Sequence, residues 1–272
     1  MEFIDNHKML SAMEAADDIR YLYDCIDISL AGEDWKVREI RYLTADPSDP
    51  LRDYVTFKRY DFDETNSLLV GCHTKNDALI EKTAELIAAD NAGEKELRTE
   101  FPEILSHPAL TERFSMTDAD EGVNPIFALT DPARLKPYEP AVGVTVSVWN
   151  GENREKIRAE LADIGEGVDY ICTCCRDTRR YLLYLNGRAV GYLRAECAWK
   201  NVYDIGWVNV EPEYRRRELG KQLVLAFAHD CLSRGEIPHY GFAVSRESAL
   251  TAESCGFVNI RPATRAVMLH KK

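Results

Sequence analysis

The chain is predicted to be an α/β protein of the α+β kind. A mixed, mostly antiparallel central sheet flanked by helices follows an additional N-terminal α+β domain. Three observations predict this. From Val142 onward, β-branched runs and amphipathic stretches succeed one another in the order β-α-β-β-β-α-β-α-β. Asn186-Gly187 lies between two β-rich runs, the strongest short hairpin signal, so those strands run antiparallel. Between 117 and 140, Pro125, Pro132, Pro137 and Pro140 break regular structure and mark a connection. The expected domains are 1–138 and 139–272.

In the N-terminal part, Ser11 and Glu14 form a capping-box pattern, and Ile19, Leu22, Tyr23 and Ile26 follow helical spacing. A second helix is expected over about 77–90, with Asn76 as N-cap and Gly93 as stop. "DYVTFKRYDF" and "SLLVGCH" read as strands. His73 and His107 stand alone, and nothing in this half points to chemistry.

In the C-terminal part, "VGVTVSVWN" alternates as a strand does, and "ENREKIRAELADIGEG" reads as a helix ended by glycines. The Asn-Gly hairpin and a strand "VYDIGWVNV" come next. "EPEY" leads into a helix on which Leu219, Leu223, Ala226 and Phe227 share a face, stopped by Gly235. "HYGFAVS" is a strand, "RESALTAESCG" a short helix, and "FVNIRPATRAVML" the last strand. No internal repeat is visible.

With 272 residues, 45% hydrophobic and 29% charged, the composition is that of a soluble globular protein. The formal net charge of −12 argues against nucleic-acid binding and favours cationic ligands. "MEFIDNHKMLSAMEAADD" lacks a basic segment followed by an apolar run, and no window is long and apolar enough to span a membrane. The expectation is a cytoplasmic protein without a membrane partner. Of the eight cysteines, Cys172, Cys174 and Cys175 cluster, but without spaced pairs or nearby histidines they read as reduced thiols rather than a metal site.

The stretch "VNVEPEYRRRELGKQL" follows a strand and opens a helix. Backbone N–H groups at a helix start, small residues and three arginines suit an anion, a pyrophosphate above all. The bland alternative is a solvated helix start with no ligand. The stretch resembles the signature of the GCN5-related N-acetyltransferase (GNAT) superfamily, V-x-P-x-Y then [RQ]-x-x-G-x-[GA]. Val210, Pro212, Tyr214, Arg215 and Gly220 match it. A second marker is a small-residue helix ending in Gly256-Phe257.

The resemblance covers Val142 to the C-terminus and implies a GNAT-like fold there. It also implies transfer of an acetyl group from acetyl-CoA, the cosubstrate, to a primary amine by direct attack in a ternary complex. The loop with Arg215, Arg216, Arg217, Glu218, Leu219, Gly220 and Lys221 would hold the pyrophosphate. The pantetheine arm would lie between "WVNV" and "FAVS", against Val208, Asn209 and Val210, with Ser248 close by. Glu218 departs from the pattern, standing where the family usually has its first glycine. It either points outward and spares the backbone donors, or weakens binding.

Asp204 is the first candidate base and Glu196, on the neighbouring strand, the second. The family's usual acid, a tyrosine, falls at Ala252, so Tyr240 is its candidate substitute. His229 reads as a surface residue and His239 as a loop residue. A cationic acceptor such as a polyamine, an aminoglycoside or a lysine side chain is expected. The N-terminal domain would form part of the acceptor pocket or a homodimer interface. Two other readings stand beside this one: an inactive acyl-CoA-binding or regulatory module, and a tandem protein whose N-terminal half is a degenerate acetyltransferase-like domain.

Overall fold

The computed structural model describes residues 1–30, 37–60, 66–119, 124–150, 154–162, 164, 178–261 and 264–272. The Cys172, Cys174 and Cys175 cluster lies outside the described residues. The chain forms two compact units, Met1–Asn124 with Pro262–Lys272, and Pro125–Arg261.

In the first unit, β1 (Glu2–Ile4) leads to α1 (Asn6–Ala16) and, after a 3-10 turn, α2 (Leu22–Leu30). The first helix starts earlier than the capping-box pattern suggests. Asp5, not Ser11, is its cap, accepting from the His7 and Lys8 N–H groups. Asp17 then takes a left-handed conformation and ends α1, so the periodic apolar residues from Ile19 onward belong to a separate helix.

β2 (Val37–Thr44), β3 (Tyr54–Tyr60) and β4 (Leu68–His73) form an antiparallel meander. α3 (Asp77–Ala89) crosses over to β5 (Lys95–Thr99), which pairs parallel with β4. Asn76 caps α3 as expected, its side chain accepting from the Leu79 N–H. α4 (Pro108–Thr111) and β6 (Phe114–Asp118) follow. The sheet order is β1-β2-β3-β4-β5-β14-β6, where β14 (Arg265–Lys271) is the last strand of the chain.

The second unit contains β7 (Ile126–Ala128), β8 (Val144–Asn150), α5 (Arg154–Glu160), β9 (Thr178–Leu185), β10 (Arg188–Trp199) and β11 (Val202–Val210). Then come α6 (Leu219–Ser233), β12 (Ile237–Phe242), α7 (Arg246–Cys255) and β13 (Val258–Arg261). The sheet order is β13-β7-β12-β11-β10-β9-β8. Asn186 and Gly187 have φ of 51° and 83°, the paired positive angles that a type I′ turn requires of the β9–β10 hairpin.

One face of this sheet packs on α6 and α7. Leu223, Val224, Phe227 and Ala228 join Tyr181, Leu183, Leu193, Tyr203 and Ile205 in a single core. On the other face, Ile157, Leu161 and Ile164 meet Leu182 and Tyr192. Burying a side chain such as Phe227, fully enclosed here, contributes about 2 kcal/mol.

Two expectations are revised. The proline-rich stretch holds a strand, β7, because Ile126, Phe127 and Ala128 are all buried and pair on both sides, with β12 and β13. The run from Phe257 to Leu269 is two strands in different sheets, β13 and β14.

The two sheets then share one topology: a four-strand meander, a parallel fifth strand, a strand from a distant part of the chain, and a last antiparallel edge. β14, which follows the second unit in sequence, fills the inserted position in the first sheet. β7, which follows β6, fills it in the second. Each half of the chain thus hands its final strand to the other unit's sheet. Among the described residues, no helix is long and apolar enough to cross a membrane.

Candidate functional site

The sequence places the site where β11 gives way to α6, and the geometry begins with the pairing of β11 and β12. These parallel strands are in register at Val202↔Ile237, Tyr203↔Pro238 and Asp204↔His239, and there the ladder ends. β11 continues to Val210 on the β10 side alone. Both strands are irregular just past the last rung. β11 bulges against β10 between Ile205 and Trp207, and β12 shifts register against β7 between Tyr240 and Phe242. A bulge bends its strand and increases the local twist, so the two strands open into a wedge.

A groove of about 730 Å³ occupies this opening, between the end of β11, the start of α6 and the segment from β12 into α7. Val208, Asn209 and Val210 line it from β11. Arg215, Arg216, Glu218, Leu219, Gly220 and Lys221 line it from the loop and helix start, and Tyr240 and Ser248 from the far side. Arg217 is not among the lining residues. Its guanidinium lies 5.5 Å from the Tyr214 ring centre and donates to the Glu213 carbonyl at 3.4 Å.

The start of α6 has no side-chain cap. Glu218 holds the cap position, but its side chain accepts no hydrogen bond from the first turn. The first N–H groups of a helix have no intrahelical partner, and the helix dipole places positive potential there. Among the described residues outside its own helix and chain neighbours, the nearest atom to a Cβ added at Gly220 is on Val210, at 4.0 Å. The missing side chain therefore leaves room in the groove rather than relieving a clash, which is what close approach of a phosphate to the backbone needs.

The arginines divide their work. Arg215 Nε donates to the Val210 carbonyl at 2.7 Å and its Nη2 to Asn209 Oδ1 at 3.4 Å, tying the loop to the end of β11. Arg216 is exposed and lines the groove, with φ of 62°. Glu218 has φ of 57°, the left-handed region that favours glycine. That explains a family glycine at this position, and Glu218 adopts the same backbone with its side chain 76% exposed, 3.9 Å from Lys221 Nζ.

The catalytic candidates fall in two places. Tyr240 lines the groove, and its hydroxyl is 2.8 Å from Ser248 Oγ. Burial lifts its phenol above the ordinary value, and the Ser248 hydrogen bond works the other way. Ala252 is fully buried in the core beneath. Asp204 and Glu196 face each other across the β10–β11 ladder.

His239 is not a loop residue. It lies in β12, fully buried, with Nδ1 2.8 Å from Asp204 Oδ1. Sequence reasoning implied that these two strands are neighbours but missed that β12 starts early enough to bring His239 into register with Asp204. His229 is on α6, with Nε2 3.0 Å from the Lys136 carbonyl. Among the described residues, no group of three or more His, Cys, Asp or Glu side chains could hold a metal ion.

The first unit closes the equivalent opening. There β4 and β5 stay in register from Leu68↔Lys95 to Cys72↔Thr99, so the strands pair almost to the end of β4. The start of α3 is occupied by its own Asn76 side chain.

Residues 149–257 match the Acetyltransferase (GNAT) family. Among solved structures, a tandem GNAT protein from the clavulanic acid biosynthesis pathway is similar over 99% of this chain and 98% of its own, at 13% identity and a TM-score of 0.57. A Drosophila protein is similar over 98% and 97%, at 13% identity and a TM-score of 0.56. A GCN5-related N-acetyltransferase from Kribbella flavida is similar over 86% and 90%, at 18% identity and a TM-score of 0.51. At these identities the likeness concerns the fold. No curated protein matches the chain. The signature loop, the wedge it flanks and the matched span agree, and the C-terminal half of this chain is a domain of the GCN5-related N-acetyltransferase superfamily.

Proposed function

We propose that the second unit is an acetyl-CoA-dependent N-acetyltransferase acting on a primary amine by direct attack in a ternary complex. The observation that carries this reading is the groove at the β11–β12 wedge, with an uncapped helix start and the Gly220 gap at one end. Acetyl-CoA would supply an activated acetyl thioester. The pyrophosphate fits the first-turn N–H groups of α6, with Arg216 and Lys221 adding positive field. The arm fits along Val208, Asn209 and Val210, where β11 has no β12 partner.

The chain's own groups have separate tasks. Asp204, or Glu196 opposite it, takes the proton of the acceptor ammonium, because only the neutral amine attacks. Backbone N–H groups on the free stretch of β11 stabilise the charge that builds on the carbonyl oxygen. As the carbon–nitrogen bond forms and the carbon–sulfur bond breaks, the Tyr240–Ser248 hydroxyl pair gives a proton to the departing thiolate and is reprotonated through solvent by the proton the new amide nitrogen loses.

An acidic surface, with net charge −12, favours a cationic acceptor. The acceptor panel is therefore spermidine, kanamycin and a lysine-containing peptide. Thiol release from acetyl-CoA that depends on one of these amines supports the reading. Tight binding of acetyl-CoA with no amine-dependent release would favour an acyl-CoA-binding module instead, a reading that Ala252 in the usual tyrosine's place keeps in view.

A further inference from the structure

We propose that His239 is a positioning residue for Asp204, and that the pair, rather than the carboxylate alone, forms the proton-accepting device of the site. The inference rests on the acetyltransferase reading above.

Asp204 and His239 form the last rung of the β11–β12 ladder, the apex of the wedge. Tyr203 and Ile205 on β11 and Tyr240 on β12 belong to the core against α6. Side chains alternate along a strand, so Asp204 and His239 both lie on the opposite sheet face. There the His239 Nδ1–H donates to Asp204 Oδ1 at 2.8 Å.

The two members differ in access. The Asp204 side chain is 15% exposed and the His239 ring 0%. The carboxylate is thus the more exposed member of the pair and the imidazole the enclosed one; neither is among the residues that line the groove. Parallel pairing fixes both backbones, and the buried ring has no room to swing, so it holds Asp204 in one rotamer. A base contributes to rate only when held within hydrogen-bond reach of the proton it takes, and second-rank partners of this kind govern that geometry.

The surroundings are charged and ordered. Glu196 is in register with Asp204 on one side, and Arg194, 2% exposed, donates to Glu196 at 2.7 Å. Arg180 faces Arg194 across the β9–β10 ladder, and Thr178 faces Glu196. On the other side of His239 the register partner is Ala128 of β7, which carries no charge.

The test compares His239→Asn, which keeps a donor near the Nδ1 position, with His239→Leu, which fills similar space without one. Both are assayed in the full-length protein, with acetyl-CoA and whichever of spermidine, kanamycin or the lysine peptide the wild type acetylates fastest. Melting temperature and acetyl-CoA affinity are measured alongside. The expected result is a kcat loss on the order of tenfold or more for His239→Leu. His239→Asn should stay within about threefold of wild type, and the KM for acetyl-CoA should be unchanged in both.

Equal kcat in the two variants would overturn the proposal and leave His239 a packing residue. If Asp204→Asn itself leaves kcat unchanged, the assignment of the base fails instead. No turnover with any of the three amines by the wild type would defeat the acetyltransferase reading and this inference with it.

Discussion

Glu218 Oε1 lies 3.9 Å from Lys221 Nζ where the loop opens α6, and both residues line the groove. The acid that interrupts the expected phosphate loop is 76% exposed at the edge of the groove, and its backbone keeps the left-handed angle that glycine would take. A non-glycine residue there costs about 1 kcal/mol. Glu218→Gly should therefore stabilise the protein by up to about 1 kcal/mol, a rise of roughly 3 °C in Tm. It should also tighten acetyl-CoA binding a few-fold, by removing a negative charge beside a polyanion. A lower Tm together with weaker binding would contradict this account of the loop.

Gly220 gives the complementary test. Outside its own helix and chain neighbours, no described atom lies closer than 4.0 Å to an added Cβ, so Gly220→Val should fold with a Tm close to wild type. The added side chain would occupy the gap assigned to phosphate, and acetyl-CoA affinity should fall about tenfold or more, as a lost backbone contact to a charged group implies. Unchanged affinity would remove the loop from the site.

Tyr240→Phe removes the hydroxyl that meets Ser248 at 2.8 Å. If the pair donates to the departing thiolate, kcat should fall by about tenfold or more while acetyl-CoA affinity holds. Burial raises the Tyr240 phenol above its ordinary value. It therefore stays protonated, and able to donate, through neutral and moderately alkaline pH. The wild-type rate should show no fall from Tyr240 between pH 7 and 9, and a wild-type kcat in the Phe variant would rule the pair out.

Stability rests in part on Arg179. Its guanidinium donates twice to Glu236, at 2.5 and 2.6 Å, and stacks over Tyr203 with Cζ 3.8 Å from the ring centre. Both partners are largely enclosed, at 10% and 15% side-chain exposure. Glu236→Ala leaves a buried cation without this carboxylate and should cost about 3 kcal/mol, read by chemical denaturation. A loss under about 1 kcal/mol would mean that Asp230, 3.7 Å from the same guanidinium, suffices.

Much of the second unit was legible because its signals are local. Asn186-Gly187 fixes a turn by backbone angle, the spacing of Leu219, Leu223 and Phe227 fixes a helix face, and "VYDIGWVNV" alternates over the observed β11. The residues proposed for the loop are consecutive, and all but Arg217 of those proposed for the cofactor line the groove. What could not be read depends on distant pairing. β7 is three apolar residues among prolines, and only the strands on either side make it a strand. β14 looks like an extension of β13 until the first unit's sheet claims it. The Asp204–His239 contact exists because two separate strands pair at that rung. The repeated topology agrees with the tandem reading that stood among the alternatives; local pattern could not decide it because the first unit keeps the strand order without the loop residues of the second, and Asn76 fills the corresponding helix start.

That contrast sharpens the central claim. One unit has an open wedge beside an uncapped helix, whereas the other is paired through Cys72↔Thr99 and capped by Asn76. The most direct measurement is calorimetric titration of the full-length protein with acetyl-CoA at low salt. The account predicts one site per chain, competed by coenzyme A and abolished by Gly220→Val. Absence of binding at millimolar ligand, or two equivalent sites per chain, would contradict it.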